Sequence, residues 1–231
     1  MTRNRTAEEI VEHLKSIGDP ERAEGLSRFG IRRGDAVGVP VPELRKLAKE
    51  LGKDQGLAGA LWLSGLHEAR ILATMVAEPR LMTEAQMDGW VADIESWDLC
   101  DQACGNLFIR SPYAYQKASE WSRQPEEFVR RAGLVMIANL AVHDKEAPDE
   151  RMREFFPLIL GAADDERNFV KKAASWALRA LGKRSRALHQ EAVRVAGHLK
   201  GMDSRSARWI GSEALRELEG EGVQGRLDRQ P

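Results

Sequence analysis

The stretch TAEEIVEHLKSIGDP, residues 6–20, holds a helix start, a helix face and a helix stop in succession. Thr6 with Glu9 three residues on is a capping box, in which a hydroxyl and a carboxylate each take one of the backbone N–H groups left over at a helix start. Ile10, Val11, Leu14 and Ile17 recur at helical spacing, and Gly18 ends the run. Asp19-Pro20 then opens a second helix, with proline where its missing N–H costs nothing. The same grammar recurs along the chain. Thr83 with Gln86 caps a helix over 84–95, Ser96 stands before one over 97–108, and Ser111-Pro112 starts one over 112–123. Further helices are predicted over 43–51, 55–65, 67–77, 126–142, 149–161, 165–182, 186–199 and 204–219. Gly34 to Pro42 reads as a loop, and the polar segment after Glu219 as a frayed tail.

No window shows the period-2 alternation of a half-buried strand. About a dozen helices joined by short turns imply a bundle or a solenoid, and short connections favour antiparallel neighbours, so stacked helical pairs of the HEAT type fit best. No exact motif repeats, so the repeats are degenerate. The expected architecture is all-α: an α-α superhelix of HEAT-like repeats, one domain over 1–219 with a flexible tail over 220–231.

Composition agrees with a folded chain. Of 231 residues, 42% are hydrophobic and 31% charged, which excludes disorder. Lys plus Arg is 35 against 36 for Asp plus Glu, so a uniformly basic DNA-coating protein is excluded while a locally basic one is not. Met1 to Ile10 lacks the apolar stretch of a signal peptide, and no run approaches the roughly 20 apolar residues that span a bilayer. Cys100 and Cys104, four apart, suit neither a long-loop disulfide nor a zinc site. They read as two core thiols of a reduced, cytoplasmic protein. The five histidines show no ligand spacing, and there is no phosphate-binding glycine loop and no nucleophile elbow.

The neutral total hides an uneven distribution. Arg167, Lys171, Lys172, Arg179, Lys183, Arg184 and Arg186 fall in one block without an acidic residue, whereas Leu81 to Asp101 holds six acidic residues and no basic one. At about 100° per residue, Lys172, Arg179 and Lys183 lie within roughly 60° of Trp176. The apolar set Val170, Ala174, Ala177, Leu178 and Leu181 centres roughly 140° away. A ring framed by cations suits a sugar-phosphate backbone; a Trp at a helix seam with Lys stems packed over it is the plainer reading. Trp97 and Asp101, at i and i+4, share a face opposite Leu99, Cys100, Ala103 and Leu107. A carboxylate beside a large ring stabilises a developing positive charge; a helix-start staple and a surface carboxylate are the plainer alternatives. Arg131 shares its face with Phe128, Leu134, Val135 and Ala138, so its head either pairs with a buried carboxylate or reaches a phosphate. Trp62, Trp90, Trp121 and Trp209 sit in apolar periodic stretches and read as core.

Taken together, Trp97-Asp98-x-x-Asp101, Arg131-Ala132, and Trp176-Ala177-Leu178-Arg179 with Lys183 resemble the AlkD-type DNA alkylation repair glycosylases. The likeness continues through Val39-Pro40-Val41-Pro42-Glu43-Leu44-Arg45-Lys46-Leu47-Ala48-Lys49 and Ala207-Arg208-Trp209-Ile210, in order, over roughly residues 5–220. It implies a HEAT-like superhelix that grips duplex DNA in a concave groove and hydrolyses the N-glycosidic bond of purines alkylated at N3 or N7, initiating base excision repair. By the same likeness Asp101 is the catalytic carboxylate, Trp97 and Trp176 pack on the lesion deoxyribose, and Arg131 and Arg179 hold the backbone, joined by Lys172 and Lys183 of the cationic edge. Asn139 departs from the pattern, standing where a basic phosphate contact is expected. No metal or organic cofactor is called for. The expected partner is duplex DNA containing alkylated purines, met by a monomer away from any membrane. The alternatives are a HEAT-repeat protein of the same superfamily that binds DNA structure without excising bases, and a protein-binding scaffold.

Overall fold

Local caps and apolar periodicity build the elements that the sequence implies, as seen in a computed structural model that describes residues 5–26, 31 and 36–229. The Thr6–Glu9 capping box is formed in both directions and starts α1 (Ala7–Ser16). The Asp19 carboxylate accepts from the backbone N–H groups of Glu21 and Arg22 at the start of α2 (Pro20–Leu26). There follow α3 (Val41–Leu51), α4 (Gln55–Leu63), α5 (His67–Val76), α6 (Glu84–Ala92) and α7 (Trp97–Asn106). The Thr83–Gln86 capping box opens α6 as expected. Ser96 sits at the start of α7, but its side chain makes no capping bond to the helix. Part of the Gly34–Pro42 loop lies outside the described residues.

The second half comprises α8 (Ala114–Trp121), α9 (Glu127–His143), α10 (Asp149–Arg153), α11 (Phe156–Gly161), α12 (Asn168–Gly182), α13 (Arg186–Lys200), α14 (Arg205–Leu218) and α15 (Glu221–Leu227). Two expectations fail here. The helix predicted over 149–161 is broken after Arg153, because Pro157 has no N–H to carry the ladder through and instead lies in the first turn of α11. The segment expected to be frayed carries α15, held down by buried Val223 and Leu227. No strand occurs among the described residues.

Residues 1–113 and 114–231 form two compact units. In the first, α4 packs on α5, α1 lies against both, and α3 and α7 pack on α5. Trp62 and Trp90 stack in its core with ring centroids 4.2 Å apart. In the second, α8 packs on α9, α9 on α12, and α13 on α14, with α12 against both α13 and α14. Close approach here is written in glycines. A Cβ on Gly133 would lie 2.2 Å from the Ser122 backbone nitrogen, and one on Gly211 would lie 2.4 Å from the Ala196 carbonyl oxygen. Among the described residues no helix is long and apolar enough to cross a membrane.

Candidate DNA-binding and catalytic residues

In the first unit, α7 buries Leu99, Cys100, Ala103 and Cys104 against the core, and this leaves Trp97 and Asp101 half-buried on the helix's other side. The two cysteines are buried and form no disulfide. Asp98, between the two candidates, has a different fate. Its Oδ2 lies 2.8 Å from Nε2 of buried His67 on α5. Burial pushes the Asp98 carboxyl up, but the bond and charge interaction with His67 outweigh burial and hold it below the ordinary carboxylate range. Two carboxylates three residues apart on α7 are thus differentiated: Asp98 is a helix-to-helix tie, and Asp101 is half-buried on the side of α7 that carries Trp97.

In the second unit, Arg131 is buried on α9 and its Nη1 donates to the Phe169 carbonyl oxygen at 2.9 Å, near the start of α12. The Phe169 ring lies beneath the guanidinium, 6.0 Å from centroid to Cζ. Arg131 thus engages both the backbone and the ring of Phe169. Asn139, also buried, donates to the Val135 carbonyl oxygen of its own helix.

On α12, Val170, Ala173, Ala174, Ala177, Leu178 and Leu181 are buried while Trp176 is half-buried on their flank. Lys172, one turn before it, is exposed and forms no ion pair with a described residue. Arg179 and Lys183 are different. Both are ion-paired to Glu217 of α14, Arg179 through Nη1 and Lys183 through Nζ at 2.6 Å. Burial raises the Glu217 carboxyl, but its bonds to Lys183 and Arg179 prevail and keep it low. The rest of the cationic block is also partnered. Arg167 chelates Asp165, Arg186 pairs with Asp228 at 2.7 Å, and Arg184 spends its head on the Ala141 and Ala147 carbonyl oxygens.

The block is therefore less cationic in the fold than in the sequence. Glu217 lies 38 positions from Arg179 and 34 from Lys183, a pairing that no spacing rule within one helix reveals. Trp209 also corrects an expectation. It is 36% exposed, not core, because Ala207, Ile210, Gly211 and Ala214 take the buried side of α14. The Lys171 ammonium stands over its ring, 5.2 Å from the centroid. No group of three or more potential metal ligands occurs among the described residues.

An all-helical chain of stacked pairs with half-buried tryptophans beside charged groups defines a helical-repeat protein. Residues 10–218 match the family described as DNA alkylation repair enzyme, and the chain belongs to that family. A solved structure described as a new family of proteins related to the HEAT-like repeat DNA glycosylases, with affinity for branched DNA structures, is similar in fold. It shares 19% identity over 92% of this chain and 95% of that one, with a TM-score of 0.77. The architecture is accordingly a solenoid class of HEAT-like repeats. A designed armadillo repeat protein in complex with the peptide (KR)4 aligns with 98% of this chain and 83% of its own at 14% identity, with a TM-score of 0.39. No curated protein matches the sequence.

Proposed function

We propose that this protein is a DNA glycosylase that hydrolyses the N-glycosidic bond of N3- or N7-alkylated purines in duplex DNA. The observation that carries the reading is the pairing of Asp101 with Trp97 on one side of α7, with the helix's apolar face spent on the core, in a chain of the DNA alkylation repair enzyme family.

The chemistry asks for little else. Alkylation at N3 or N7 makes the purine cationic, so the bonding electron pair leaves with N9 and neutralises the base without a strong general acid. What remains is an electron-deficient, oxocarbenium-like sugar that water attacks at C1′, releasing one proton. A single fixed carboxylate stabilises that cation and orients the water. Asp101 is assigned this role, and the Trp97 ring face adds an electrostatic preference for a cationic sugar. In the second unit Lys172 is assigned a phosphate contact. Arg179 and Lys183 share that assignment with Glu217 aligning them, Trp176 is assigned a sugar edge, and Arg131 a backbone contact.

The reading is tested by incubating the full chain with duplex DNA carrying N7-methylguanine or N3-methyladenine and measuring free base. Release above the spontaneous rate is expected. Binding without release supports the second reading, a non-catalytic DNA-structure binder. That reading draws on the similar structure described as having affinity for branched DNA and on the Glu217 carboxylate that neutralises part of the cationic edge.

A further inference from the structure

A cleft of about 510 Å³ opens in the second unit where α9 and α12 end, closed by the 144–149 turn and by α15. This is within the size range of small-ligand sites. Four cations line it, Lys145, Lys183, Arg184 and Arg226, against a single carboxylate, Asp149.

Part of that charge is spent on the fold. The carbonyl ends of α9 and α12 carry partial negative charge and attract cations. Arg184 answers the end of α9 directly, its Nη1 donating to the Ala141 carbonyl oxygen at 3.0 Å, while its Nη2 donates to that of Ala147 in the following turn at 2.6 Å. Asp149 is engaged by Arg184 and by the Ser185 hydroxyl. Lys183 is paired outside the cleft with Glu217. Lys145 and Arg226 are left over. Both are exposed, and neither forms an ion pair with a described residue. Val142, 46% exposed, Pro148 and Ala180 add apolar side chains to the same lining. Two uncommitted cations and apolar side chains in one lining match a ligand that carries both a phosphate and an apolar body.

We propose that this cleft binds a nucleotide, with its phosphate held by Lys145 and Arg226 and its base against the apolar lining side chains Val142, Pro148 and Ala180. The same chemistry is carried by a free nucleotide and by a nucleotide within a DNA strand, and the test separates them. Nothing in this inference depends on base excision.

Calorimetric titration of the full chain with dAMP, with deoxyadenosine, and with a short 5′-phosphorylated single-stranded oligonucleotide decides it. The same titrations are run on Lys145→Ala/Arg226→Ala and on Lys145→Glu/Arg226→Glu, with circular dichroism to verify that each variant folds. Binding of dAMP but not deoxyadenosine, weakened about tenfold or more in the alanine variant and lost in the glutamate variant, is the expected result and identifies a free nucleotide. Binding of the oligonucleotide alone, with the same dependence on Lys145 and Arg226, also supports the proposal and identifies a strand. No binding of either phosphate-bearing probe, equal binding of deoxyadenosine, or equal affinity in folded variants overturns it.

Discussion

Three aspartates show how neighbouring residues of one type are set to different tasks. Asp98 is tied to His67 between α5 and α7, and Asp101, one turn later, is not part of that tie. Asp98→Asn is expected to cost about 2 kcal/mol of stability, the scale of a lost hydrogen bond to a charged group. Thermal unfolding of the variant checks this. Asp165 is the most strongly held of the three. Hydrogen bonds from Arg167, then from Arg130 at 2.9 Å, overcome burial and bring its carboxyl down to about 2. A folded pKa below the unfolded value of about 4 gives stability that is full above about pH 4 and is lost as pH falls through about 2. A shift of about two units corresponds to roughly 2.5 kcal/mol. Asp165→Asn should therefore lose about that much at neutral pH, and its acid-unfolding curve should converge on the wild type between about pH 4 and 2. A constant gap across that window would show that Asp165 contributes packing and not charge.

At the scale of elements, helices were legible because their signals are local. Capping boxes at Thr6 and Thr83, the Asp19-Pro20 start and the apolar periods all act within a turn or two, and the structure keeps them. The break at Pro157 was present in the sequence, as a residue without an N–H inside a predicted ladder. Pairing between elements was not legible, since Glu217 meets Arg179 and Lys183 only because α14 packs on α12. Trp209 was misjudged for a related reason: apolar neighbours on both sides hid the fact that it lies one position off the buried stripe of α14. The tight pairs of helices depend on positions where any side chain collides with backbone. Gly133→Ala and Gly211→Ala are each expected to destabilise by about 3 kcal/mol, the upper range for overpacking, because the obstructing atoms belong to Ser122 and to Ala196 and Lys200 main chain. Chemical denaturation measures both. On α12, Lys172→Gln should lower the salt slope of duplex DNA binding by about one. Glu217→Gln, which releases Arg179 and Lys183, should raise affinity at low salt. Unchanged slopes in both variants would make the strip a solvated surface.

For the whole molecule, the near-neutral balance of 35 basic and 36 acidic residues makes any cationic strip local and not global. The family that the ordered motifs resemble is the one that residues 10–218 match, although the division into two compact units left no trace in composition or linker sequence. Family membership directs attention to alkylated DNA, and the carboxylate on α7 is the feature on which excision depends in this account. The most direct measurement is single-turnover release of N3-methyladenine or N7-methylguanine from duplex DNA by saturating wild-type protein and by Asp101→Asn, with DNA affinity measured on the same preparations. Release by the wild type is expected, slowed about 10²–10³-fold in the variant, at nearly equal affinity. Equal rates would remove Asp101 from the chemistry, and tight binding by a wild type that releases no base would contradict the assignment of a glycosylase.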